Sequence, residues 1–161
     1  MTEKEFTRII KLYSGIVFRT ALCFVKNKAD ADDIVQEVFL RFYTYNGSFE
    51  SDEHIKMWLI KVTVNNSKNF LKYQKLRQFL PLEKAENKEI PKENEDLLLP
   101  IIMKMKTKSR LVLYMFYYEG YSVKEIAEIL KENESAVTSQ LYRGRKQLKK
   151  LLLKEGYNEL Q

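Results

Sequence analysis

Ser122-Val-Lys-Glu-Ile-Ala-Glu-Ile-Leu130, the connecting Lys131-Glu-Asn-Glu-Ser135, and Ala136-Val-Thr-Ser-Gln-Leu-Tyr-Arg-Gly-Arg-Lys146 decide how this chain is read. They form the pattern of two helices joined by a tight polar turn. Ser122 can cap the first helix, and Glu125 three residues later completes a capping box. Ile126, Ala127 and Leu130 then make an inward stripe, with the small Ala127 where two helices cross closely. Val137, Leu141 and Leu148, spaced by four and seven, give the second helix its buried face. From Ala136 to Lys154 there is no acidic residue, whereas Arg143, Arg145, Lys146, Lys149, Lys150 and Lys154 are basic. A helix-turn-helix lays its second helix in the major groove and its basic flank on phosphates. A plain helical hairpin with a solvated basic face has the same apolar pattern. The one-sided charge favours nucleic acid.

The rest of the composition agrees with helices. Five Gly and three Pro in 161 residues leave little room for the turns of a sheet protein, and helical periodicity recurs along the chain. The net charge of +6 favours a polyanionic partner. Cys23 is the single cysteine and lies in the apolar stretch Ala21-Leu-Cys-Phe-Val25, so it packs as a small hydrophobe and has no internal disulfide partner. No segment approaches the roughly 18 consecutive apolar residues of a membrane span, and the first residues are polar, unlike a signal peptide. A cytoplasmic protein with no membrane contact of its own is expected.

Periodicity predicts a helix from about Thr2 to Lys26, ended by Asn27, and a second capped by Asp30 and running to about Tyr45. A loop follows over Asn46–Glu53, then a long helix over about His54–Arg77. Leu80–Asn94 has two prolines, more acids than bases and few large apolar groups. Such a segment cannot bury enough surface to offset its ordering entropy, and reads as a flexible linker. Helices over about Glu95–Met105 and Lys108–Glu119 come next, with Gly120 as a C-cap. The fold class is all-α: two small helical bundles, residues 1–79 and 95–161, joined by the linker 80–94.

Two further faces carry chemistry. In the second helix Ala31, Ile34, Val35, Val38 and Phe42 can face the bundle, leaving Asp32, Asp33, Gln36, Glu37 and Leu40 outside. Carboxylates in the first turn suit the helix dipole. That does not account for Gln36, Glu37 or an outward Leu40, and an acidic strip beside an apolar residue suits a basic protein partner. In the long helix Trp58, Leu59, Val62, Phe70 and Tyr73 form the predicted core stripe, interrupted by Asn66. Lys61, Asn65, Asn69 and Lys72 step along another side, where cations can follow phosphates and amides can read base edges.

Taken together, Asp33-Ile-Val-Gln-Glu-Val-Phe-Leu-Arg41, Trp58-Leu-Ile-Lys-Val-Thr-Val-Asn65 and the Ser122–Lys146 helix-turn-helix resemble the signatures of bacterial RNA polymerase sigma factors. Their order and the short chain resemble the extracytoplasmic-function class, which keeps only regions 2 and 4. The resemblance implies that Asp33, Gln36, Glu37 and Leu40 dock on the β′ coiled-coil of core polymerase, and that region 4 meets the β flap. It implies that Lys61, Asn65, Asn69 and Lys72 engage the −10 element, with Phe49 and Ser51 in the preceding loop cradling an extruded base. Extrusion costs a few kcal/mol, which stacking or hydrogen bonds must supply. The recognition helix, starting at Ser135, would read the −35 element through Thr138, Ser139 and Gln140, with Arg143, Arg145 and Lys146 near the backbone. An anti-sigma factor is implied as a further partner, and no cofactor, metal or catalytic residue.

The chain also departs from the family. Gln140 and Thr138 stand where Arg and Lys are frequent, and Gln pairs with adenine where Arg prefers guanine, so Gln140 is expected to be the most individual reader. Lys72-Tyr-Gln-Lys-Leu-Arg77 is a weaker basic run than usual. Gly144 replaces the usual alanine at a cost of about 1 kcal/mol, which nothing in the sequence explains. A helix-turn-helix regulator acting without core polymerase would share Ser122–Lys154, but the first half lacks the pattern of a receiver domain. A nucleic-acid enzyme is disfavoured because His54 is the only histidine and no second carboxylate cluster supports a metal at Asp30–Glu37.

Overall fold

A computed structural model describes residues 1–77 and 98–156, which fall into two compact units. The linker expected over 80–94 lies outside the described residues. Among those residues every regular element is helical, and no helix is long and apolar enough to cross a membrane.

The first unit packs three helices. α1 spans Glu3–Val25 and opens on a capping box: the Thr2 hydroxyl accepts the Glu5 N–H, and the Glu5 carboxylate accepts the Thr2 N–H. Lys26, in the left-handed conformation, ends it. α2 spans Lys28–Thr44, and its cap is Asn27, whose side-chain oxygen accepts the Asp30 N–H at 2.9 Å. Asp30 therefore sits inside the first turn and is not the cap. Asn27 holds it there by a second bond, donating to the Asp30 carboxylate at 2.7 Å. Two good capping residues stood three apart in the sequence, and the earlier one prevailed.

α3 spans Asp52–Arg77 and enters the core in a different rotation from the one expected. Leu59, Ile60, Thr63, Val64, Asn66 and Ser67 are buried, Trp58, Val62 and Phe70 are half-buried, and Tyr73 is exposed. The cause is the small polar residues. Thr63 returns its hydroxyl to the Leu59 carbonyl at 2.6 Å, and the short Ser67 is fully buried. Their polarity hid them from a reading based on apolar spacing. α1 supplies Ile16, Val17 and Ala21 to this core, and α2 supplies Ala31, Ile34, Val38 and Phe42, together with Phe39. Val35 is only half-buried, while the Cys23 thiol is packed inside as expected.

In the second unit α4 is a single turn, Leu99–Ile102, and α5 spans Thr107–Leu113. The corner between them is built on Arg110, which is fully buried. Its guanidinium donates to the carbonyls of Met105 (2.7 Å) and Met103 (3.3 Å) and to the Thr107 hydroxyl (3.1 Å), so a charge closes a turn from the inside. The helix predicted to run straight to Glu119 instead widens into a π-helical turn over Tyr114–Tyr118, and Gly120 follows at φ +69°.

α6 spans Val123–Leu130 behind the expected Ser122–Glu125 capping box, and buries Ile129 along with Ile126, Ala127 and Leu130. α7 spans Glu134–Lys154, capped by Asn133 and not begun at Ser135: the Asn133 side chain accepts the Ala136 N–H at 2.7 Å. Val137, Leu141, Gly144 and Leu152 are buried on it, and Leu148 is half-buried.

The structure supplies the missing reason for Gly144. A Cβ there would stand 3.2 Å from Leu113 Cδ1 and 3.3 Å from its Cγ, and Leu113 is itself fully buried. Glycine lets α7 approach α5 this closely. Gly144→Ala gains about 1 kcal/mol of helix propensity, but overpacking a filled core typically costs about 1–3 kcal/mol. The variant is therefore expected to melt below the parent in a thermal scan. Adding Leu113→Val, which takes away the Cδ1 methyl that stands nearest, is expected to recover part of the loss, a non-additivity that a double-mutant cycle measures.

Candidate functional site

Three exposed faces are built on this scaffold, two in the first unit and one in the second. On α2, Asp33, Gln36, Glu37 and Leu40 are all exposed and follow i, i+3, i+4, i+7. Leu40 is 63% exposed, an apolar side chain left in water beside two carboxylates. Glu37 is drawn toward Arg41 one turn on, at 2.9 Å, which screens one of the two negative charges.

The second face starts at the loop between α2 and α3. Phe49 is half-buried in an aromatic cluster, with ring centroids 5.1 Å from Tyr45, 5.4 Å from His54, 5.5 Å from Phe42 and 5.8 Å from Trp58. Ser51 caps α3, its hydroxyl accepting the His54 N–H at 3.1 Å. His54 Nδ1 accepts the Glu50 N–H at 3.3 Å, so the only histidine acts as a loop tie. Phe49 and Ser51 thus hold the loop in shape. Tyr45 of this cluster is 43% exposed, and its ring lies over Gly47 where a Cβ would meet it at 2.4 Å. Asp52 in the first turn of α3 forms a bidentate pair with Arg8 of α1 (2.8 and 2.9 Å), and Tyr13 donates to the Asp52 carbonyl at 3.2 Å. The Arg8 hydrogen bonds hold the Asp52 carboxyl below its usual range. Along α3, Asn65, Asn69 and Lys72 are exposed and Lys61 half-buried, on one side of the helix as expected.

The third face is on α7. Thr138, Tyr142, Arg145 and Lys149 follow i, i+4, i+7, i+11, and Ser139, Arg143, Lys146 and Lys150 form the adjacent row; all eight are exposed. Ser135 is exposed in the first turn. Gln140 stands apart: it is half-buried in a row with the buried Gly144 and the half-buried Gln147 and Leu151. Tyr142, 58% exposed and with Lys146 Nζ 4.5 Å over its ring, takes the middle of the outward face. The sequence reading passed over it because only the polar and basic residues of this helix were matched to DNA.

Comparison with known proteins converges on one family. Residues 9–77 match sigma-70 region 2 and residues 96–148 match sigma-70 region 4. RNA polymerase sigma factor SigV of Bacillus subtilis is 30% identical over 86% of this chain and 85% of its own length. This chain is an extracytoplasmic-function sigma factor. A second B. subtilis relative, the ECF sigma factor SigW, is 26% identical over 93% of this chain and 90% of its own. The fold is shared with the sigma factor RpoE of Bartonella quintana, solved with the anti-sigma factor NepR, at a TM-score of 0.73 and 19% identity over 92% and 97% of the two chains. CnrH, solved with the cytosolic domain of CnrY, aligns at 0.63 and 20% over 94% and 89%. As a sigma factor, the protein directs core RNA polymerase to promoters for transcription initiation; a helix-turn-helix regulator working without polymerase is not favoured.

The rows on α7 give a test of register. Thymine methyls and sugar–phosphate edges are within the repertoire of an exposed tyrosine, and Gln140→Arg would favour guanine if position 140 reached a base, by about 1–3 kcal/mol. With the outward rows in the groove, Tyr142→Ala is expected to alter the −35 preference in a promoter selection more than Gln140→Arg does. A guanine shift with Gln140→Arg alone would turn the helix to the other register.

Proposed function

We propose that residues 1–79 hold core polymerase and the −10 element and that residues 95–161 hold the −35 element, with no catalysis by the chain itself. The observation that carries this reading is the separation of charge: an acidic row with an exposed leucine on α2, and not one acidic residue on α7 from Ala136 to its end at Lys154. Phosphate is repelled by the first and drawn to the second. Asp33, Gln36, Glu37 and Leu40 are the polymerase contacts, on the β′ coiled-coil, while region 4 meets the β flap. Lys61, Asn65, Asn69 and Lys72 follow the opened −10 strand. An extruded base is received at the loop that Phe49 and Ser51 shape, where Tyr45 supplies the stacking face. Ser135, Thr138 and Ser139, flanked by Gln140, face −35 base edges, and Arg143, Arg145 and Lys146 take phosphates. The protein works in the cytoplasm. Because its fold is that of sigma factors solved with anti-sigma partners, we assign it an anti-sigma factor too, which covers the same faces.

Added to core polymerase, the chain is expected to start transcripts at defined promoters, where core alone gives only random synthesis. Gln36→Ala with Glu37→Ala is expected to weaken core binding by about 2 kcal/mol or more, as for other hot-spot truncations, and to leave helical content intact. Unchanged core affinity in a binding titration would remove α2 from the interface.

A further inference from the structure

Arg145 is not a loose surface cation. Its Nε–H donates to the Tyr117 hydroxyl at 2.6 Å, and its guanidinium carbon lies 5.5 Å from the centre of the Phe116 ring and 5.7 Å from that of Tyr117. The two rings meet edge to face at 5.0 Å, making a corner that the guanidinium fills. Both aromatics come from the π-helical turn Tyr114–Tyr118, where the Glu119 N–H reaches back five residues to the Tyr114 carbonyl. Widening the helix by one residue per turn changes which side chains face α7, and such turns recur at functional positions. Stacking of Tyr114 on Tyr118 and the hydrogen bond from the Tyr114 hydroxyl to Glu119 fix the turn from inside.

We propose that Tyr117 is a positioning residue for −35 binding: it aims Arg145 so that the guanidinium meets a phosphate already oriented. The proposal rests on the reading of α7 as the −35 helix. Arg145 shares its exposed row with Thr138, Tyr142 and Lys149. Using Nε–H on the tyrosine leaves the four terminal N–H donors, the pair of groups that grips a phosphate bidentately. An arginine held by two rings and a hydroxyl loses less rotamer freedom on binding than one free in solvent, so the same contact yields more affinity. The π turn thus belongs to the DNA-binding surface although it does not lie in the recognition helix.

The test compares Tyr117→Phe, Arg145→Ala and the double variant, each bound to core polymerase, by promoter affinity across a salt series. Tyr117→Phe keeps the ring and removes only the hydroxyl. It is expected to weaken binding about three- to tenfold, the scale of one hydrogen bond, with an unchanged melting temperature and −35 preference. Arg145→Ala is expected to weaken binding further and to lower the salt slope by about 1. In the Arg145→Ala background, Tyr117→Phe is expected to change nothing. Equal losses in both backgrounds would mean that Tyr117 acts by itself, and tighter binding by Tyr117→Phe would mean that it withholds Arg145 from DNA; either overturns the proposal. Full affinity of Tyr117→Phe beside a weakened Arg145→Ala defeats the positioning role alone and leaves the phosphate contact standing. Full affinity of Arg145→Ala defeats both.

Discussion

The close approach of α5 and α7, with no side chain between the Gly144 backbone and Leu113, is the constraint on which the C-terminal unit depends. Dispersion falls steeply with separation, so a helix seated this closely has little freedom to roll or slide. That fixes which residues of α7 face outward. It also brings the continuation of α5, the π turn, within hydrogen-bond reach of Arg145. The fully buried Arg110 serves the same end on the far side, since its bonds to Met103 and Met105 hold the corner from which α5 starts. For the base-reading role proposed for α7, a rotation set before DNA arrives is an advantage, and the missing Cβ of Gly144 helps to set it.

How much of this was legible follows from which signals are local. The Ser122–Glu125 box, the length of α1 and the outward set Asp33, Gln36, Glu37 and Leu40 depend on spacing within one helix, and spacing is visible in a sequence. Helix starts were less so: Asn27 and not Asp30 caps α2, and α7 begins at Glu134 behind Asn133, one residue before the expected start at Ser135. The core side of α3 was partly hidden because Thr63 and Ser67 are polar yet small, and close packing selects for size as much as for hydrophobicity. The π turn, Arg110 and the Tyr117–Arg145 pair were out of reach, since each depends on partners brought together by the fold.

Within the first unit the same logic separates shape from contact. The aromatic side chains of the α2–α3 loop are mostly spent on each other: Phe49 touches four rings, and Trp58 touches three. For the base-receiving role proposed for this loop that is an advantage, because the cost of extrusion is better repaid by a surface that does not have to order itself at that moment. Ser51 at the cap of α3, His54 on the Glu50 N–H and the Arg8–Asp52 pair add polar ties at its exit. Each tie is weak and exposed. Together they join the loop to α1 and to the same helix that carries Asn65 and Asn69.

The distribution of charge supports the class of partner proposed for each face. Exposed ion pairs add little to stability, so the acidic row of α2 is poorly explained as structure, and a carboxylate row beside an exposed leucine repels phosphate while suiting a basic protein surface. On α7 the reverse holds. Its eight outward residues include five cations, and the rest are the short Thr138 and Ser139 and the aromatic Tyr142, side chains that let the helix lie close to bases while the cations reach phosphates. A single-sign basic helix would bind any polyanion. For the −35 role proposed above, selectivity is attributed to Tyr142 in the middle of that face and to Arg145 held against the Tyr117 hydroxyl.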